Sequence, residues 1–274
     1  MEFRTIVDIP SSSWKIRPAD RLLFVGSCFA DRIGHRFVDE HFETLVNPYG
    51  VMYNPASVLH TVKKVVEEPN TSFNVAFFTL GTNHVYILNE TGEIVDNCNK
   101  RPQRLFTERE LTIAECATYL SEAVECLRET NPDVRVVMTV SPIRYRKYGY
   151  HESQLSKSTL LLAINELLHQ ERFHGVVSYF PAYEIMMDEL RDYRFYEPDM
   201  LHPSAQAVEF IWQRLAESYF GEDTLRFMEE WKPIREALAH KPFHPESPEY
   251  QIFRAKAEAQ LKAFESKYKL SPLT

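Results

Sequence analysis

The sequence predicts a three-layer α/β fold, a mostly parallel sheet flanked by helices on both faces. Two observations carry this. Short apolar runs alternate with segments of helical period along most of the chain. Such β/α alternation implies crossover connections and hence a parallel sheet.

The first run, Leu22-Leu23-Phe24-Val25-Gly26, reads as a buried strand that stops at a Gly-Ser step. A helix over 28–40 follows at once, with Cys28, Phe29, Ile33, Phe37 and Val38 on one face. Further strands are expected at 43–47, 75–80, 134–140 and 175–180. Further helices are expected at 55–67, 108–129, 156–170, 183–191 and 204–220. Within 108–129, Leu111, Ala114, Ala117, Leu120, Val124 and Leu127 recur at helical spacing, and Asn131-Pro132 closes the segment. Residues 84–96, with Gly92 in a polar turn, predict a small inserted hairpin. Ser204 caps the last core helix, whose apolar positions include Ala207, Val208, Ile211, Leu215 and Phe220.

Beyond residue 221 the pattern changes. Trp231 to Leu238 and Arg254 to Tyr268 are helix-like, and a Pro- and His-bearing linker at 240–248 separates them. The expected organisation is a catalytic domain at 1–220 and a C-terminal helical extension at 221–274 packed on it. The extension is too short for a large core of its own.

The 274 residues are 44% hydrophobic and 26% charged, ordinary for a globular chain with a full α/β core. A net charge of −8 without a basic block disfavours nucleic acid as a partner. No run reaches the length of a membrane span. Met1-Glu2-Phe3-Arg4-Thr5 lacks the apolar core of a signal peptide, so a cytoplasmic location is expected. The four cysteines, Cys28, Cys98, Cys116 and Cys126, have neither disulfide-framework nor zinc-finger spacing. His240 and His244 are separated by a proline and make a poor metal pair. No metal or organic cofactor is expected.

In a parallel sheet, sites form beyond the carboxyl ends of the strands. Ser27 would lie there, at the N-terminus of a helix whose free N–H groups can stabilise an oxyanion. It reads either as a plain N-cap or as a nucleophile. Far downstream, Asp199 and His202 stand three apart in a Pro-flanked loop. An imidazole oriented by a carboxylate can take a serine proton, so the two segments together favour Ser27 as nucleophile, His202 as base and Asp199 as its orienting group. Cys28 is a second potential nucleophile, but a residue inside the first helical turn is expected to face the core as an inert thiol. Oxyanion donors are sought in the N–H of Ser27 or Cys28 and in backbone near Gly50 or Gly81. Asn47 belongs to an Asn-Pro-x-Gly turn that could also border the site. Arg144 could hold an anionic group of the substrate, whereas Arg146 and Lys147 read as a solvated basic loop.

Gly26-Ser27-Cys28-Phe29-Ala30 resembles the signature of the GSCFA domain family. Further blocks resemble that family in order: 46–55, 80–86, 97–100, Thr139 to Arg144, Gln154-Leu155-Ser156-Lys157 and 179–184. The similarity covers roughly 20–220. Tyr145 stands where relatives often carry histidine, Asn83 stands where they commonly have a small residue, and the segment after the second block is short. The family looks like a branch of the SGNH (GDSL-like) hydrolases, in which an Asn two residues after a Gly donates to the oxyanion, so the resemblance implies the Asn83 amide, at Gly81-x-Asn83, as a further donor. The resemblance therefore implies an SGNH-hydrolase-like fold and a serine esterase acting on a short acyl, acetyl-like ester, with a small-molecule or carbohydrate ester as partner. An O-acyltransferase using the same residues and a non-catalytic glycan-binding module are the alternatives.

Overall fold

The structure, a computed structural model, describes residues 4–69 and 71–270. Met1 to Phe3, part of the segment behind the leader expectation, lie outside the described residues, as do the last four residues of the expected C-terminal extension.

Five parallel strands form the central sheet: β1 (Leu22–Gly26), β2 (Thr44–Val46), β3 (Val75–Leu80), β7 (Arg135–Val140) and β8 (Val177–Tyr179), in the order β2-β1-β3-β7-β8. Successive side chains of a strand point to opposite faces, and here both faces are covered. Leu23, Val25, Ala76, Phe78, Val136 and Met138 face α2 (Pro55–Glu67), α3 (Ile113–Thr130) and α4 (Tyr150–Leu168). Leu22, Phe24, Phe77 and Val137 face α1 (Cys28–Asp39) and α6 (Ala205–Tyr219). On that side Phe24 stacks on Phe77 with centroids 4.4 Å apart, and Phe37 meets Trp212 edge-on at 4.7 Å. The predicted fold class is the one observed.

Four local expectations need correction. The insertion is a three-stranded antiparallel sheet, β4 (His84–Leu88), β5 (Ile94–Val95) and β6 (Phe106–Glu110), in the order β5-β4-β6. Residues 108–110 were expected to be helical. Instead they pair with β4, and the helix begins only after Thr112, whose side chain and that of Glu115 form a reciprocal cap. Helix α4 starts earlier than expected, after Gly149 at φ +87, because its polar first turn hides it from an apolar-period reading. At 183–191 a single helical turn, α5 (Ala182–Glu184), runs into a π turn over Ile185–Glu189.

The C-terminal segment is two long helices, α7 (Glu222–Ala239) and α8 (Pro248–Tyr268), both longer than the periodicity indicated. Phe227, Trp231 and Phe264 join the core on the α1 side. Trp231 stacks on His41 at 4.5 Å, and its Nε1–H donates to Asp39 O at 2.7 Å. Arg235 pairs with the buried Glu40 at 2.7 Å. Trp231→Ala removes the ring and the bond together, so a loss of about 3–5 kcal/mol in urea unfolding is expected. A loss below about 1 kcal/mol would mean that α7 adds little to the core. Among the described residues no helix is long and apolar enough to cross a membrane.

Candidate active site

The backbone fixes the site before any side chain does. Gly26 ends β1 at φ +150, and a Cβ there would stand 2.2 Å from the carbonyl oxygen of Thr79 on β3. Only glycine allows that approach. The chain then turns through Ser27 into α1. The Ser27 N–H is shared between Thr79 O at 3.0 Å and Thr79 Oγ1 at 3.1 Å. Its hydroxyl accepts the Phe29 N–H at 3.2 Å as the N-cap and donates to Ser141 Oγ at 2.9 Å. The residue is 1% exposed. Ser27 therefore looks into the seam between β1, β3 and the end of β7.

The next side chain looks the other way. Cys28, the first residue of α1, is half-buried, and its Sγ lies 3.4 Å from His202 Nε2. His202 Nδ1 is 2.5 Å from Asp199 Oδ2. Asp199 Oδ1 accepts the backbone N–H groups of Leu201 at 2.9 Å and His202 at 3.0 Å. Those two N–H groups and the imidazole hold the Asp199 carboxyl well below the usual carboxylate range. A carboxylate on Nδ1 selects the tautomer with its proton there, which leaves a bare Nε2 lone pair toward the thiol. Burial pushes the Cys28 thiol up, Asp31 adds to this, and Arg32 and Lys157 oppose it.

The Asp-x-x-His loop is tied down on two sides. Arg32, one turn after Cys28 on α1, donates to Pro203 O at 2.8 Å and lies 3.3 Å from Glu197 Oε1. The Arg144 N–H donates to Leu201 O at 3.0 Å, and the Glu197 N–H to His202 O at 2.8 Å. One helix thus carries both the thiol and the anchor of its histidine.

The structure brings Asp199 and His202 together as the spacing predicts, but it sets Cys28, not Ser27, against them. Cys28 packs against the core as expected, but only in part, and its Sγ also reaches the imidazole, which the expectation of an inert thiol did not include. Ser27 points instead into the seam as the helix cap. Ser27→Ala should therefore cost about 1 kcal/mol of stability through the lost cap, which urea unfolding checks.

The other expected donors are already engaged. The Gly50 N–H closes a turn onto Asn47 O at 2.8 Å, with Gly50 at φ +93. The Gly81 N–H donates to Tyr53 O at 2.8 Å, and the Asn83 side-chain amide to Leu111 O at 2.8 Å. Asn83 ties the start of β4 to the end of β6, so one hydrogen of its amide is already engaged, as are the N–H groups of the two glycines. Asn47 accepts the Gly26 N–H at 2.8 Å and donates to Asp31 Oδ1 at 2.6 Å, which braces the end of β1. The Cys28 N–H, at the first position of α1, is one of the donors a helix leaves without an internal acceptor.

Two neighbours were missed. Tyr53, beside the thiol, has its phenol pushed up by burial and by Cys28. Lys157 on α4 is 2% exposed and donates to Ser141 O at 2.8 Å. Burial, helped by Arg144, drives its ammonium down to about 7. Lys157 stands in one of the blocks that resemble the family, but a lysine in a helix ordinarily reads as solvated. Among the described residues no cluster of His, Cys, Asp and Glu is arranged to hold a metal ion.

Comparison with known proteins gives the following. The model of the GSCFA family matches residues 21–76 and 69–215, and that of the GSCFA domain protein, C-terminal domain, matches 231–272. A search of curated proteins finds no match. Among solved structures, the chain is similar to an acetyl-xylooligosaccharide esterase from a Geobacillus at 11% identity and TM-score 0.48, covering 76% of this chain and 98% of that one. It is similar to a carbohydrate esterase family 3 protein from Talaromyces cellulolyticus at 10% identity and TM-score 0.41, covering 77% and 99%. It is also similar to an acetyl xylan esterase from the rumen bacterium Butyrivibrio proteoclasticus at 12% identity and TM-score 0.40, covering 77% and 64%.

Proposed function

The chain belongs to the GSCFA family, and from the side chains at its sheet edge we infer that it is an acyl hydrolase with a cysteine nucleophile. The observation that carries this is the 3.4 Å approach of Cys28 Sγ to His202 Nε2, with Asp199 on the opposite ring nitrogen. Nucleophile, base and orienting carboxylate stand in the order that activated nucleophiles require.

The resting thiol is protonated, since burial favours the neutral form. His202 Nε2 takes the proton as Sγ attacks the carbonyl carbon of a short acyl ester. The carbonyl oxygen becomes an oxyanion at the N-terminus of α1, where the Cys28 N–H and the positive end of the helix dipole stabilise it. Asp199 remains ionised and stabilises the imidazolium. Collapse of the intermediate breaks the C–O bond, and the imidazolium gives its proton to the departing alcohol. This leaves a thioester on Cys28. His202 then deprotonates a water, which attacks the thioester carbonyl. The carboxylic acid leaves, and the thiol regains its proton. The His202 side chain is 34% exposed, so water can reach the base for the second step.

The test is a panel of p-nitrophenyl esters of increasing acyl length, followed by stopped flow. Short acyl esters should be hydrolysed, with a burst of p-nitrophenol close to one equivalent before the steady state. No turnover of any ester by folded protein would contradict the reading.

A further inference from the structure

Two basic side chains near the Cys28–His202 pair have no carboxylate: Lys157 acts on the Cys28 thiol, and Arg144 in turn acts on Lys157. Lys157 is almost wholly buried, and its ammonium reaches Ser141 O at 2.8 Å and faces the Tyr183 ring at 5.9 Å. Arg144 reaches Met187 Sδ at 3.8 Å and lies over the Tyr150 ring at 5.1 Å, and its Nε is buried with no hydrogen-bond partner. Among the described residues neither cation has a carboxylate at ion-pair distance. This is unusual in a chain of net charge −8, where most buried or half-buried cations find an acidic partner. Arg36, for example, lies between Glu40 and Glu209.

Both cations are wired to the site. Ser141 offers its carbonyl to Lys157 and its hydroxyl to Ser27, the residue before the thiol. The Arg144 N–H holds Leu201, the residue before the imidazole. Desolvated basic groups left unpaired beside a nucleophile are what a site built for an anionic group requires, and a bound anion would keep on Lys157 the proton that burial otherwise loosens. Arg adds a planar donor fork suited to a carboxylate or phosphate.

We propose that Arg144 and Lys157 form an anion subsite, and that the substrate is an acyl ester carrying a carboxylate or phosphate close to the scissile carbonyl. This rests on Cys28 being the nucleophile, and the test separates the two claims. Iodoacetate and iodoacetamide deliver nearly the same group to a thiol but differ in charge. Alkylation of Cys28 is read in the full chain by mass spectrometry of the peptide that carries it, and each rate is divided by that of glutathione. Wild type should favour iodoacetate about tenfold or more. Arg144→Met should remove most of that preference, and so should Lys157→Met. If the buried Lys157→Met does not fold, the half-buried Arg144→Met decides alone.

Equal normalised rates in wild type, or a preference that survives in Arg144→Met, would overturn the proposal. So would fast alkylation by both reagents that slows equally in the variants, because the cations would then serve only the thiolate. If neither reagent modifies Cys28 in an active enzyme, the nucleophile reading fails instead. The subsite is then judged by mono-p-nitrophenyl succinate against p-nitrophenyl butyrate. Their kcat/KM ratio should fall about tenfold in Arg144→Met, and an unchanged ratio would overturn the subsite as well.

Discussion

Replacing Cys28 with alanine is expected to abolish ester turnover, by about a thousandfold or more in kcat, while the fold remains intact. The size follows from the mechanism. Without Sγ no thioester forms, and only the helix N-terminus and the bound geometry remain to accelerate attack by water. The fold should survive because Cys28 is only half-buried and packs at the edge of the core, so removing its Sγ costs little packing. The comparison with Ser27→Ala makes this sharp. The two residues are neighbours, yet one substitution should remove the reaction and the other should remove a cap. A Cys28→Ala variant with more than a tenth of wild-type kcat would remove the thiol from the mechanism.

His202→Ala should lower turnover nearly as far, and adding Asp199→Ala should cost little more. Once the base is gone, the group that orients it has nothing left to orient. Losses that multiply in full would show separate roles. The thiol itself supplies a pH signature. Burial raises its pKa, so the neutral form persists to higher pH than in an exposed cysteine, ordinarily near 8.5. In His202→Ala, alkylation of Cys28 should therefore be slow at neutral pH and rise only above the ordinary thiol range. A variant that alkylates at neutral pH as fast as wild type would show that His202 does not take the thiol proton.

How much of this was legible in the sequence depends on which physical question each residue answers. The sheet was legible because β1, β3 and β7 are buried on both faces and read as unbroken apolar runs. Strand β6 was not. Residues 107–110, Thr-Glu-Arg-Glu, are exposed, so no hydrophobic alternation marks them, and only the Thr112-x-x-Glu115 cap signalled where the helix begins. The meeting of Asp199 with His202 was readable from a three-residue spacing. The choice between Ser27 and Cys28 was not, because it turns on which side chain rotates toward the loop. Serine's preference for capping a helix was visible in advance, and the reach of the next residue's thiol to the imidazole was the missed step. Gly81 and Asn83 have the spacing of oxyanion donors, but Tyr53 O and Leu111 O, distant in sequence, engage the Gly81 N–H and one hydrogen of the Asn83 amide. Lys157 escaped because burial of a lysine depends on tertiary neighbours that no local pattern encodes.

The most direct measurement identifies the acylated atom. Wild type mixed with p-nitrophenyl acetate, quenched in acid within the burst and digested, should carry one acetyl group on the peptide spanning Leu22 to Arg32. Fragmentation should place it on Cys28, and neutral hydroxylamine should remove it, as a thioester requires. An acetyl group on Ser27 that resists neutral hydroxylamine would contradict the account.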